Sequence, residues 1–291
     1  MTGLGWKIAA ASALGTSHAK IETPCQDSFS TKLFRDRVGG DVLVAAVSDG
    51  AGSAKKAEQG SWLTCATIVE AAEIFLADGG LVGDIRRETA ADWIRMAQAA
   101  IDIRAENEGA TRRDYACTLL VAVVGEDAAA IFQVGDGAVV VPDDITVSDD
   151  VGWSWVHWPQ HGEFANTTYF VTDERVDERM MFELCTRRID EIALFTDGIE
   201  RLVLHEASKT VFAPFFNRML PAVRRLAAPG LDRKLSTDLE QYLNSPMICE
   251  KTDDDKTLVL ATRRAPVEIK AATTPTFGVV SGEARDHGHE D

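Results

Sequence analysis

Apolar runs of strand length alternate along the chain with two long stretches of helical period. Asp41–Ser48 (DVLVAAVS) is apolar almost without interruption, the pattern of a strand buried on both faces. Gly5–Ser12 and Ser28–Phe34 read as strands around a loop. Ala57–Ala77 carries Trp62, Ala66, Val69 and Ile74 near helical spacing, and Thr89–Glu108 carries Trp93, Met96, Ala100 and Ile103, so both predict helices with one apolar face. The period then changes. Tyr115–Val124, Ala128–Val134 and Ala138–Val141 predict three strands joined by Gly125-Glu126-Asp127 and Gly135-Asp136-Gly137. Both connections are too short for a parallel crossover, so antiparallel pairing is expected across each. Trp153–Trp158, Thr168–Thr172 and Glu191–Thr196 predict further strands. Ile199–Leu204 opens a helical region that runs to about Leu243 with breaks at Pro214, Pro221 and Pro229, and Thr257–Ala261 predicts a last strand. Many antiparallel strands with helices in two blocks imply an α+β protein of two packed sheets flanked by helices. Residues 1–264 read as one domain; from 265 to 291 apolar periodicity gives way to Pro, Thr, Gly and charge, which predicts a flexible tail.

Charge narrows the partners. Thirty Lys and Arg against 46 Asp and Glu give a net −16 over 291 residues. That balance argues against a nucleic-acid backbone or an anionic membrane surface as partner. No run approaches the roughly 20 apolar residues that span a bilayer. Ala9–Ala13 resembles a signal-peptide cleavage region but reads equally well as part of the first strand. Cys25, Cys65, Cys117, Cys185 and Cys249 include no CxxC pair, which predicts reduced thiols of a cytoplasmic protein and neither a disulfide framework nor a zinc knot.

The acids carry the chemistry. Three apolar strands end in Asp-Gly: Asp49-Gly50, Asp136-Gly137 and Asp197-Gly198. Asp27 and Asp253-Asp254-Asp255 flank two others. One Asp-Gly is ordinarily a turn, because both residues tolerate positive φ; Asp136-Gly137 sits between two strands and fits that account. Asp49 and Asp197 precede helical segments, so a hairpin does not explain them. If the strand ends converge, four or five carboxylates repel one another with no Lys or Arg close by on the N-terminal side, and divalent cations are the economical counter-charge. An all-oxygen site with no His or Cys selects Mg or Mn over Zn or Cu. Two such ions about 3.5–4 Å apart share and deprotonate a water, which attacks phosphorus in line; the reaction this suits is phosphate-ester hydrolysis without a covalent intermediate.

In order and position, Gln26-Asp27, Asp49-Gly50, Cys117-Thr118-Leu119, Gly135-Asp136-Gly137, Thr196-Asp197-Gly198 and Asp254-Asp255-Lys256-Thr257 resemble the metal-dependent protein phosphatases of the 2C type, over roughly Gly5 to Ala261. The segments GTSHAKIETPCQD and HGEFANTTYF are similar to a bacterial branch of that family. The resemblance implies a four-layer α-β-β-α sandwich, two or three Mn or Mg ions, and phosphoserine and phosphothreonine in proteins as substrates, with a Ser/Thr kinase as the opposing partner. It implies that Asp49 bridges two ions, that Gly50 lends its carbonyl, that Asp197 and Asp254 complete the first ion's ligands, that Asp27 orients water, and that Asp136 helps hold a third ion. Thr118, His18 and Lys20 would contact substrate.

Three positions depart from the family pattern. Gln26 stands where Glu is usual; Glu22 stands where an Arg often clamps phosphate; Ala51 stands where a His often donates the leaving-group proton. His18 and Lys20 are the nearest substitutes for the clamp, and His18 or a metal-bound water for the proton donor. The same departures admit a second reading, a pseudophosphatase that binds phosphoproteins or regulates without turnover; Asp49, Asp197 and Asp254 speak for turnover. A flap-like segment at about 145–180 holds Trp153, Trp155, Trp158, Phe164 and Tyr169, which read as a small satellite core before they read as a recognition surface. Gly50-Ala51-Gly52-Ser53-Ala54-Lys55 fails both the dinucleotide and P-loop patterns. His157 and His161 have no second ligand pair for zinc, no GxSxG elbow occurs, and the carboxylate of Asp27 disfavours a Cys25 thiolate.

Overall fold

A computed structural model describes residues 5–143, 151–160 and 168–266. In chain order the elements are β1 (Lys7–Ala13), α1 (Thr16–Lys20), β2 (Ser28–Arg35), β3 (Asp41–Ser48), α2 (Ala57–Ala77), α3 (Arg87–Glu108), β4 (Leu119–Val124), β5 (Ala129–Val134), β6 (Ala138–Pro142), β7 (Trp153–Trp155), α4 (Val176–Arg179), β8 (Met181–Cys185), β9 (Glu191–Phe195), α5 (Asp197–Val203), β10 (Leu204–His205), β11 (Thr210–Val211), α6 (Ala213–Arg224), β12 (Gly230–Leu231), α7 (Arg233–Leu243), α8 (Pro246–Cys249) and β13 (Lys256–Thr262). One sheet runs β12-β1-β13-β9-β6-β7, the other β2-β3-β4-β5-β8, and β10 pairs with β11 apart from both. Pairing is antiparallel except between β1 and β12.

The strand β3 shows why these sequences layer as they do. Val42, Val44 and Ala46 face α2 and α3, among Ile68, Trp93 and Ile94. Leu43, Ala45 and Val47 face the other sheet, among Ile8, Leu194 and Val259. With both faces buried, the alternation of a half-exposed strand disappears from its sequence. Beyond the second sheet, Ala9, Ala11, Leu258 and Leu260 meet Phe216, Leu220, Leu235 and Leu239 of α6 and α7. The result is the expected four-layer α-β-β-α sandwich. Each fully buried Leu, Ile or Phe in these layers contributes about 1.5–3 kcal/mol, so the three apolar layers together supply most of the drive to fold.

Several expectations are corrected. Gly135-Asp136-Gly137 closes no hairpin: β5 pairs with β4 and β8, whereas β6 pairs with β7 and β9, so the turn carries the chain from one sheet to the other. A short connection rules out a parallel crossover within a sheet, but it permits a step between sheets. Gly135 has φ 104°, and a Cβ on Gly137 would stand 2.6 Å from both Leu120 Cδ1 and Phe195 O. Thr168–Thr172 forms no strand. The fifth strand of that sheet is β8, whose mixed, half-buried sequence gave no apolar signal. Tyr115 belongs to a helical turn, Arg112–Tyr115, ahead of β4. Pro221 lies inside α6 and does not break it.

The helix faces also differ from expectation. Trp62, Ile74, Met96 and Ile103 are exposed, whereas Cys65, Ile68 and Ala72 of α2 and Ile94, Ala97 and Ile101 of α3 are buried. Both helices are rich in alanine, so small residues share the buried face with Ile68, Trp93 and Ile94, and the apolar residues Trp62, Ile74, Met96 and Ile103 lie off it. Among the described residues α2 alone is long and apolar enough to cross a membrane; it packs on β2 and β3 as a core helix. The predicted tail from residue 267 onward, and His161 and Phe164, lie outside the described residues.

Candidate metal centre

The end of β3, the step after β5, the start of α5 and the loop before β13 meet at one edge of the sandwich. There Asp49, Asp136 and Asp197 each bring a carboxylate oxygen within 4.8 Å of the others. Thr118 fixes Asp49 from beneath: its Oγ1 accepts the Asp49 N–H at 2.9 Å and its own N–H donates to Asp49 O at 2.8 Å. Ser48 Oγ in turn donates to Thr118 O at 2.6 Å. Thr118 is buried, so it supports the centre and is not placed to meet substrate.

The glycines after the aspartates serve close approach. A Cβ on Gly198 would lie 1.8 Å from Asp255 O, and one on Gly50 would lie 2.8 Å from Ala57 C. The start of α5 thus touches the Asp253–Asp255 loop backbone to backbone, which only a residue without Cβ allows. A Cβ on Gly15 would lie 2.5 Å from Asp254 C, so the same loop is gripped from both sides.

A second carboxylate organises the entry of the chain. Asp255, which the sequence reading left without a role, is buried and accepts from Gly15 N at 2.6 Å, Gln26 N at 2.6 Å and His18 Nδ1 at 2.8 Å. Its partners lie more than 200 residues away in sequence, so no local pattern marks it. Asp27 is also buried; Thr196 Oγ1 donates to its Oδ2 at 2.8 Å, and Thr257 N donates to the same hydroxyl at 2.9 Å. The Gln26 backbone is locked by Gly50 N at 3.2 Å and Ser61 Oγ at 2.5 Å, both donating to its carbonyl.

Among the described residues no basic side chain pairs with Asp27, Asp49 or Asp197. Burial first, then the nearby charge of Asp255, raises Asp27 to about 7 against the opposing hydrogen bonds. Burial, followed by Asp136, Asp254 and Asp27, raises Asp197 to about 8. Asp49 is pushed well above the usual carboxylate range by burial and by Asp27 and Asp197, and Asp254 is raised mainly by burial. Asp27 Oδ1, Asp197 Oδ1 and Gln26 Oε1 are buried with no hydrogen-bond donor. Buried oxygens left without a donor, in an all-oxygen set of converging carboxylates, fit hard divalent cations such as Mn or Mg.

The remaining candidates are distributed around this centre. Asp254 shares with Asp136 and Asp197 the lining of a cleft of about 880 Å3. Asp27 lines a second, smaller cleft with Trp62 and Arg104. His18 is held by Asp255 and Lys20 is exposed at the end of α1; neither lines the larger cleft. In the flap-like segment Trp153 is buried and its ring lies 5.0 Å from Phe216, Trp155 and Trp158 meet edge to face at 5.6 Å, and Tyr169 is covered by Arg179 at 4.5 Å. They form no separate satellite core: Trp153 and Trp158 join the layer of α6 and α7, Tyr169 packs against the layer of α2 and α3, and Trp155 is exposed. Gln160 ties that segment to the centre: its N–H donates to Gly135 O at 3.2 Å and its Oε1 accepts from Gly135 N at 2.9 Å.

Comparison with known proteins agrees with this geometry. The family model described as Protein phosphatase 2C matches residues 14–244. Serine/threonine-protein phosphatase 3 of Escherichia coli (strain K12) is 34% identical over 261 residues, covering 89% of this chain and 98% of the relative. Among solved structures, serine/threonine phosphatase Stp1 from Staphylococcus aureus aligns with a TM-score of 0.51 at 16% identity, covering 90% of this chain and 97% of its own. The catalytic domain of the serine threonine protein phosphatase PstP, in complex with two manganese ions, aligns with a TM-score of 0.52 at 16% identity, covering 89% and 98%. At that identity the two structures share the fold.

Proposed function

The chain belongs to the protein phosphatase 2C family, and from that premise we propose how its own residues serve a metal-dependent protein serine/threonine phosphatase. The observation that carries the reading is the group of Asp49, Asp136 and Asp197 with donorless buried oxygens beside it. Asp49, with the Gly50 carbonyl, Asp197 and Asp254 would hold two Mn or Mg ions, and Asp136 would share in a third. Bound ions supply charge neutralisation and Lewis-acid activation of water for attack at phosphorus. Asp27, kept in place by Thr196, orients the attacking water. As water adds to phosphorus, the bond to the serine or threonine oxygen breaks and that oxygen takes up a proton. Asp255 accepts the Nδ1–H of His18 and leaves Nε2 as the nitrogen available to donate it. No observation favours the non-catalytic reading.

We also infer a partner Ser/Thr kinase whose phosphorylations the enzyme reverses, and a cytoplasmic setting, which five unpaired thiols support. One catalytic domain over 1–264, with a flap-like segment at about 145–180 and a flexible tail at 265–291, completes the reading. The test is hydrolysis of an aryl phosphate and a phosphothreonine peptide with Mn, before and after chelation. Hydrolysis is expected to vanish with chelator and in Asp49→Asn; turnover that survives either would overturn the reading.

A further inference from the structure

The larger cleft is strongly acidic. Besides four aspartates it is lined by Glu200, Glu206 and Glu250, and two cations stand among them, Arg201 and Lys251. Elsewhere in the fold several basic side chains pair with carboxylates: Arg224 with Glu191, Arg263 with Asp190, Arg112 with Asp102. Arg201 and Lys251 differ. Among the described residues neither forms an ion pair, although each follows a glutamate in sequence and both are exposed. Arg201 lies four residues after Asp197 in α5, which puts it one turn along the same helix face. Lys251 lies three residues before Asp254, at the end of the loop that Gly15 and Gly198 grip.

A phosphomonoester brings a charge of about −1.5 to −2 to a protein of net charge −16. Its approach is opposed by the acidic lining, and the ions that offset the aspartates do not offset Glu200, Glu206 and Glu250. Glu22, exposed on the loop after α1, does not line the cleft and supplies no cation to it. A guanidinium presents a planar fork of donors that matches two phosphoryl oxygens, and a nearby ammonium adds a point charge. An uncommitted Arg and Lys in the same cleft as the carboxylate centre is what such recognition needs. We propose that Arg201, assisted by Lys251, receives the phosphoryl group of the substrate, the task Glu22 cannot perform. This rests on the phosphatase reading above and adds the residues by which the cleft selects its substrate's charge.

Arg201→Ala, Arg201→Lys, Lys251→Ala and the double alanine variant would be compared with the unaltered protein, all with Mn. Four quantities are read: KM for an aryl phosphate, KM for phosphothreonine peptides with and without acidic neighbours, binding of inorganic phosphate by calorimetry, and binding of Mn by calorimetry. Loss of a charge-assisted pair predicts that Arg201→Ala raises both KM and the phosphate dissociation constant about tenfold. Arg201→Lys recovers part of this, the double variant loses more, and Mn binds with undiminished affinity. Unchanged phosphate affinity in the double variant overturns the proposal. So does a defect confined to phosphopeptides with acidic neighbours, which would assign the two cations to flanking residues. Failure of the unaltered protein to hydrolyse any phosphoester would sink the phosphatase reading, while the phosphate titration would still decide the role of Arg201.

Discussion

The Thr196 hydroxyl donates to Asp27 Oδ2 at 2.8 Å, joining the start of β2 in one sheet to the end of β9 in the other. The same oxygen accepts the Thr257 N–H, so one side chain ties three segments to the candidate centre. Removing it leaves a buried carboxylate oxygen and a buried amide unpaired, at a cost of about 1–3 kcal/mol each. The lost donor also favours the protonated form of Asp27, already raised to about 7. Thr196→Val should therefore lower the melting temperature and weaken Mn binding at pH 6 more than at pH 8, whereas Thr196→Ser should restore both. Thermal unfolding and Mn titrations at the two pH values check this; equal Mn affinity in Thr196→Val at pH 6 would contradict it.

The raised carboxyls give the metal-free protein a defined pH response. Asp27 near 7 and Asp197 near 8 hold protons in the fold that the unfolded chain, with an ordinary aspartate value of 3.8, has released. Between about pH 4 and pH 8 the unfolded state binds fewer protons, so stability falls as pH rises and levels off above about 8. Asp102, hydrogen-bonded by Arg112, and Glu108, hydrogen-bonded by Lys56, lie below their usual ranges and act in the opposite sense only below about pH 4. With chelator, the melting temperature should drop from pH 5 to pH 8. Added Mn should raise it, by more at pH 8 than at pH 5, because the ion competes with protons for these oxygens. A melting temperature that rises with pH in chelator would refute the raising of these carboxyls by burial and by one another.

Much of this was legible in the chain, for identifiable reasons. Buried strands such as Asp41–Ser48 announce themselves because burial on two faces removes polar positions. The Asp-Gly junctions stood out because acid, glycine and strand end coincide three times. The step at Gly135-Asp136-Gly137 was misread because turn chemistry is the same whether a chain returns to its own sheet or enters the next. The outward faces of α2 and α3 were misread because their many alanines blur the period. Asp255, Thr196 and Thr118 act by donating or accepting hydrogen bonds across long sequence separations, and no local pattern marks such residues.

Gly198 gives a sharper test of why each strand ends in Asp-Gly. Its missing Cβ would occupy space 1.8 Å from Asp255 O, a backbone atom that cannot swing aside as a side chain can. Gly198→Ala must push the Asp253–Asp255 loop off α5, which displaces Asp254 and the Asp255 bonds to Gly15 and Gln26. A loss of stability of about 2 kcal/mol or more is expected, as for other overpacked sites, together with at least tenfold weaker Mn binding. By contrast a Cβ on Gly52, on the loop after β3, would meet nothing within 4 Å, so Gly52→Ala should leave Mn binding unchanged. Denaturant unfolding and Mn calorimetry on the pair decide it.

Far from the centre, a buried ion pair anchors α6 to the sheet. Arg224 Nε donates to Glu191 Oε1 and Arg224 Nη2 to Oε2, each at 2.7 Å, and both side chains are almost wholly buried. Thr262 Oγ1 adds a bond to Glu191 Oε1 at 2.8 Å, and Lys7 Nζ donates to Arg224 O at 2.7 Å, so β1, β9, β13 and α6 converge there. Cutting one partner strands the other charge in the core, which costs about 3–5 kcal/mol. Arg264 approaches Glu191 at 3.4 Å and can partly answer the orphaned carboxylate. Arg224→Met should therefore cost toward the low end of that range and Glu191→Leu toward the high end. The double variant Arg224→Met/Glu191→Leu should cost less than Glu191→Leu alone, because the desolvation of both charges is removed with their attraction. Urea unfolding of the four proteins measures the coupling, and Mn affinity, read alongside, should not change in any of them. A double variant less stable than either single one would mean that the pair stabilises the fold outright.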